Sequence, residues 1–186
     1  MTDIPPDHML LQKIGHDRDQ KAFEDLCARY SAPVFSMARR MGLNVEDAQD
    51  AVQDIFVKLW QNAHLWDAGK NASVKTWIYR IGHNAIIDNF RRNRKFLKLV
   101  SDTPVKDEIT KTQDPDPENM KKDLVRKGLT DMPEKQRSIL VLFYYQGLTA
   151  KEISQIHETT PKAIERHLAR ARENFRQNLE KMEGPK

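Results

Sequence analysis

The sequence has one cysteine, Cys27, so no internal disulfide can form, and a lone thiol fits a reducing compartment such as the cytoplasm. No stretch approaches the roughly 18 uninterrupted apolar residues of a membrane span, which excludes membrane insertion by a helix. The N-terminal stretch Met1–Gly15 lacks a basic segment followed by an apolar core, so no secretory signal is expected. Seven glycines and nine prolines leave little material for a turn-dense β-sandwich. No Cys or His pair has metal-ligand spacing, and neither a bound metal nor a cofactor is expected. What is present is an apolar fraction of 39% beside a charged fraction of 31% in 186 residues. That balance suits one helix-rich core, or two small ones joined by a linker, and is too apolar for a wholly disordered chain.

The formal net charge of +4 names no partner by itself, but the charges are blocked along the chain. Residues 43–67 carry Glu46, Asp47, Asp50, Asp54 and Asp67 against Lys58 alone. Residues 75–98 carry Lys75, Arg80, Arg91, Arg92, Arg94, Lys95 and Lys98 against Asp88. Residues 101–123 turn mixed and acidic, and Lys162, Arg166, Arg170, Arg172 and Arg176 make the C-terminal part basic again. An evenly charged surface would not read this way.

Periodicity is helical throughout. Phe23, Leu26, Tyr30, Val34, Ala38 and Met41 form one face between Asp19 and Met41, with Pro33 expected to kink or split that helix. Asn44 is an N-cap candidate, with Glu46 and Asp47 in the first turn of a helix running to about Asn62. Residues 66–72 have loop composition; a helix then runs from Ser73 into the basic stretch Arg91–Lys95. Residues 98–117 hold Pro104, Pro115 and Pro117 without a period, as a linker does. A helix is expected over Met120–Leu129, with Pro133 in the first turn of the next. Thr149 and Glu152 have capping-box spacing at the head of a short helix, and Thr160-Pro161 opens a longer one through Ile164, Leu168, Ala171 and Phe175. The fold class is therefore all-α: two helical domains, 1–96 and 119–182, joined by a flexible linker at 97–118.

Two stretches carry functional chemistry. A capped short helix, a turn of about four residues and a basic helix have helix-turn-helix spacing. Lys162, Glu165, Arg166 and Arg170 would then face duplex DNA, where Arg can pair with guanine and Glu can accept from cytosine. An ordinary helical hairpin with solvated charges fits the spacing equally well. In the second stretch, Val74–Arg92, a buried stripe of Trp77, Ile81 and Ile86 is flanked by Tyr79, Arg80, His83, Asn84 and Arg91. Aromatic faces beside cations suit unstacked single-stranded bases, although burial is the commoner fate of aromatics at this spacing.

Asp47-Ala-Gln-Asp-Ala-Val-Gln-Asp-Ile-Phe-Val-Lys-Leu-Trp60, then Trp66-Asp67, then Lys75-Thr-Trp-Ile-Tyr-Arg with Asn84, Asp88 and Arg91-Arg92, resemble the sigma-2 domain of extracytoplasmic-function (ECF) sigma factors. Leu129, Met132-Pro-Glu, Arg137, Gly147-Leu-Thr-Ala-Lys-Glu-Ile153 and Ala163 to Arg172 resemble their sigma-4 domain. The resemblance covers about residues 19–95 and 119–178 in family order. It implies a transcription initiation factor, not an enzyme, that binds the clamp and flap regions of the large subunits of core RNA polymerase. It places polymerase contacts at Asp50, Gln53, Asp54, Phe56 and Trp60, the last two forming an apolar anchor. It places recognition and melting of the minus-ten element at Trp66, Asp67, Lys70, Asn71, Lys75, Thr76, Tyr79, Arg80, His83, Asn84, Asp88 and Arg91. Duplex reading of the minus-thirty-five element falls to Thr149, Thr160, Lys162, Glu165, Arg166, His167 and Arg170. Family members are usually held inactive by an anti-sigma factor, a further expected partner. Glu158 in the turn, and Glu165 and His167 in the recognition helix, depart from the usual pattern.

Two other classes compete. A plain DNA-binding regulator would use residues 1–96 for sensing or dimerisation and would bind its duplex site tightly alone. A metalloenzyme could use Asp47, Asp50 and Asp54 on one helix face, but the segment offers no second carboxylate cluster or His partner to complete a site.

Overall fold

The computed structural model describes residues 5–67, 69, 73–100 and 117–183, without the side chains of 93–100, 117–122 and 183. These residues form eight α-helices: α1 Asp7–Asp17, α2 Gln20–Arg40, α3 Val45–Asn62, α4 Val74–Val100, α5 Pro117–Thr130, α6 Glu134–Leu140, α7 Ala150–Ile156 and α8 Pro161–Glu183. A 3₁₀ turn, Ala63–Leu65, extends α3, and a π-helical turn, Val141–Tyr145, extends α6. No strand occurs among the described residues. The expected linker falls partly on α4, which runs to Val100, and on the first residues of α5; the rest of it lies outside the described residues.

Local chemistry fixes the helix starts. The Asp19 carboxylate accepts from the Ala22 amide at 2.9 Å, and Asn44 accepts from the Asp47 amide at 2.7 Å. Each thereby satisfies a first-turn donor that has no partner within its helix. Of the kink or split expected at Pro33, the split does not occur, since α2 is one helix from Gln20 to Arg40. Tyr30, Val34, Met37 and Ala38 are buried on both sides of the proline, and their burial outweighs the roughly 3 kcal/mol an internal proline costs.

The first four helices make one core. Leu10, Leu11 and Ile14 of α1, Leu26, Val34 and Met37 of α2, Ile55 and Leu59 of α3, and Ile78 and Ile86 of α4 interlock there. The second group, α5 to α8, closes around Ile139, Leu142, Ile153, Ile164, Leu168 and Ala171. The two groups meet where α4 packs on α7 and α2 on the π-helical turn.

Candidate promoter and polymerase interfaces

The acidic helix α3 separates a buried side from a charged one. Ala48, Ala51, Ile55 and Leu59 face the core, while Asp50, Gln53 and Asp54 are exposed. Arg92 of α4 reaches within 3.8 Å of Asp54, and with Asp50, Gln53 and Asn89 these residues line an open groove of about 550 Å³. Phe56 is not a free anchor: it is 7% exposed and, with half-buried Trp60, packs edge-on against Phe23 of α2. The exposed apolar group on this face is Val57, at 54%. Asp50, Asp54 and Val57 share one stripe at i, i+4 and i+7, a spacing that could have singled out Val57 from the sequence.

The loop after α3 is held from behind. Arg18, in a left-handed conformation after α1, donates to the Trp60 carbonyl at 2.6 Å and lies over the Trp60 ring. Trp66 is half-buried and Asp67 exposed, the latter accepting from the Gly69 amide at 2.8 Å. Lys70 and Asn71 lie outside the described residues. On α4, Arg80, Asn84, Asp88 and Arg91 are exposed, with Arg91 3.7 Å from Asp88. Arg80 and Asn84 rim a groove of about 370 Å³ with Lys58, Asn62 and exposed Leu65, over a floor of Trp77 and Ile81. Lys58, Asn62 and Leu65 were missed in the sequence because they join Arg80 only through the α3–α4 packing.

Tyr79 and His83 do not stand off the buried stripe of α4. Tyr79 is 3% exposed, its ring against that of Tyr30, and burial pushes its phenol up to about 12. Thr76 is 1% exposed: its hydroxyl donates to Glu152 of α7 at 3.0 Å. Lys75 is half-buried on the same turn. His83 is buried against His157, ring centroids 4.6 Å apart. The reason is tertiary: α2 covers Tyr79, and α7 with the turn after it covers Thr76 and His83.

The C-terminal pair has helix-turn-helix construction. The Thr149 hydroxyl accepts from the Glu152 amide at 3.2 Å, while the Glu152 carboxylate accepts from the Thr149 amide at 2.8 Å, a complete capping box. Desolvation opposes the charge on Glu152, but bonds from Thr149 and Thr76 and the charge of Lys75 hold its pKa below the usual carboxylate value. After α7, Glu158 takes φ 50° and the Thr159 amide donates to the Ser154 carbonyl at 3.0 Å, the Schellman closure that turns the chain into α8. Thr160 caps α8, accepting from the Ala163 amide at 3.2 Å. Thr149, Thr160, Lys162, Glu165, Arg166 and Arg170 are exposed, His167 is half-buried, and Ile164, Leu168 and Ala171 are buried. Among the described residues no group of three metal-ligating side chains converges. No described helix is long and apolar enough to cross a membrane.

Among the described residues, an acidic helix face on one unit and a cationic helix-turn-helix on the other define the class of helical DNA-binding proteins. The family model for Sigma-70 region 2 matches residues 19–96, and that for Sigma-70 region 4 matches residues 122–175. The RNA polymerase sigma factor NccH of Alcaligenes xylosoxydans xylosoxydans is 30% identical over 179 residues, covering 92% of this chain and 94% of NccH. The ECF RNA polymerase sigma factor RpoE of Cereibacter sphaeroides is 27% identical over 177 residues, covering 91% of this chain and 93% of RpoE. The solved sigma factor RpoE of Bartonella quintana, in complex with the anti-sigma factor NepR, shares the fold at a TM-score of 0.65 and 20% identity, covering 86% of this chain and 97% of that one. The chain belongs to the ECF sigma factors of the sigma-70 family. It is a transcription initiation factor, not an enzyme, and its partners are RNA polymerase and promoter DNA.

Proposed function

We propose that residues 1–96 dock on the polymerase clamp and open the minus-ten element, that 97–118 links the units, and that 119–182 reads the minus-thirty-five element while meeting the flap. The observation that carries this is the division of α8, which exposes Lys162, Glu165, Arg166 and Arg170 while burying Ile164, Leu168 and Ala171. That is what a recognition helix needs to enter a major groove. Asp50, Gln53, Asp54 and Val57 offer polymerase an acidic, partly apolar patch, with Phe56 and Trp60 supporting it from beneath. The groove between Lys58, Leu65, Trp77 and Arg80 suits an unstacked base, combining an apolar floor with a cationic rim. Trp66, Asp67, Lys70 and Asn71 would frame the melted strand, and Asn84, Asp88 and Arg91 its path along α4. Lys75, Thr76 and His83 would join once α7 moves away, and Tyr79 would shape the groove from inside. Thr149, Thr160 and His167 complete the minus-thirty-five surface.

A cytoplasmic site of action follows from the polymerase partner, and an anti-sigma factor is a further partner, as NepR is for the Bartonella protein. Run-off transcription from genomic fragments tests the reading: discrete starts with core polymerase plus this chain, and none with either alone. Tight, site-specific duplex binding by the isolated chain, without any effect on transcription, would instead favour a plain regulator.

A further inference from the structure

A positive φ on a long side chain singles out the turn between α1 and α2. Arg18 holds φ 53° and ψ 39°, the left-handed region, where glycine would sit without steric cost. The turn is short: the Arg18 amide donates to the Lys13 carbonyl and closes α1, and Asp19 already caps α2. Glycine would make the same closure, so the closure does not account for an arginine there. The side-chain contacts do. The guanidinium donates to the Trp60 carbonyl at 2.6 Å and lies 5.7 Å from the centre of the Trp60 ring. Trp60 stands in the last turn of α3, whose final carbonyls have no partner within the helix and whose dipole favours a cation.

A second contact braces the same spot. A Cβ on Gly15, in the last turn of α1, would stand 3.1 Å from the carbonyl carbon and oxygen of Ala63 and from the Cα of His64. The 3₁₀ turn Ala63–Leu65 therefore lies directly on the backbone of α1. From α2, the Phe23 ring meets Trp60 at 4.9 Å. Contacts from α1, the turn and α2 thus fix where α3 ends. On its other side that end forms one wall of the groove of about 370 Å³, through Lys58, Asn62 and Leu65. The facing wall belongs to α4, which fully buried Ile78 anchors in the core. The width of the groove follows from where the α3 end stands.

We propose that Arg18 is a positioning residue for strand opening: with Gly15 it fixes the α3 wall of this groove and so sets which unstacked base the groove accepts. The inference rests on the groove taking such a base, as proposed above. A wall displaced by a few tenths of an ångström alters the fit of a flat base held in a close pocket. It leaves the attraction of the cationic rim for phosphate as it was.

Arg18→Gly keeps the left-handed turn without steric cost and removes only the clasp, so the variant should fold. Gly15→Ala keeps the clasp and favours α1 as a helix, but pushes the turn at 63–64 away. Each full-length chain is assembled with core polymerase and bound to forked fragments of a promoter whose start is mapped by run-off transcription. The fragments carry each of the four bases in turn at every unpaired position of the minus-ten strand. The parent should prefer one base at one such position, and both variants should lower that preference roughly three- to tenfold. Core affinity and the salt dependence of fragment binding should stay at parental values. In the free chain, hydrogen exchange of the 63–66 amides should quicken in Arg18→Gly. Parental base preference in either variant, or unchanged exchange at 63–66, would overturn the inference. An equal loss for all four bases with a shallower salt dependence would overturn it too, making Arg18 a phosphate contact. Loss of core affinity alone would do the same, assigning Arg18 to the docking patch. A parent with no base preference at any unpaired position would instead overturn the reading of the groove itself.

Discussion

Glu158 is where a single residue departs most clearly from what its backbone position asks. It holds φ 50° at the turn of the helix-turn-helix, a left-handed conformation that costs a non-glycine residue roughly 1–2 kcal/mol. Glycine there would remove that cost and add about 0.5–1 kcal/mol of unfolded-state entropy. Glu158→Gly should therefore stabilise the chain by about 0.5–1 kcal/mol, read as a higher denaturation midpoint at unchanged slope. Phe56 and Val57 make a second contrast between neighbours. Phe56→Ala empties a buried site against Phe23 and should cost roughly 3–5 kcal/mol of stability. Val57→Glu changes an exposed side chain, so it should leave the melting curve within roughly 0.5 kcal/mol of the parent while weakening polymerase binding. Pull-downs with core enzyme beside thermal melts separate the two: loss of binding without loss of stability is expected for Val57→Glu alone.

At the scale of elements, the helix-turn-helix depends on one reciprocal cap. Thr149→Ala removes the hydroxyl that accepts from the Glu152 amide and should cost about 1 kcal/mol, measured by chemical denaturation. α5 depends on a close approach instead. Gly128 donates no side chain where the Phe175 ring of α8 comes within 2.8 Å of a would-be Cβ, and its carbonyl accepts from Asn178 at 3.2 Å. Gly128→Val should push α5 off α8 and lower stability by roughly 1–3 kcal/mol, the usual cost of overpacking. Elements of this kind were legible because their signals are local: the Asn44 and Thr149 caps, Pro161 at the first position of α8, and the apolar period of α3. α1 escaped notice because Leu10, Leu11 and Ile14 are too few to establish a period after Pro5-Pro6. The continuity of α2 through Pro33 and the burial of Tyr79, Thr76 and His83 depend on partners far along the chain. The exposed arc of α8 was legible in the same way as the helices, from spacing alone. The groove between Lys58, Leu65, Trp77 and Arg80 was not, since two helices must pack before it exists.

For the whole molecule, the small net charge conceals an opposition between surfaces. The acidic stripe of α3 and the cationic arc of α8 lie on different units, so one can be altered while the other stays intact. Charges on rims of this kind act chiefly through steering and the choice of partner, and are screened within about 10 Å at ordinary salt. If α3 is the docking face proposed above, reversing Asp50 and Asp54 to Lys removes the carboxylates that would attract polymerase, and it sets new cations beside Arg92. Both carboxylates are exposed, so folding should be little affected, whereas holoenzyme formation should weaken by at least roughly tenfold. Non-specific duplex binding should move the opposite way and strengthen at low salt, because the chain gains cations able to displace counterions from phosphate. Titrating the double variant with core enzyme and with random-sequence duplex, each at two salt concentrations, measures both shifts. Opposite signs would locate polymerase docking on α3 and duplex binding elsewhere; weakening of both together would mean that the acidic stripe supports the DNA surface through the fold.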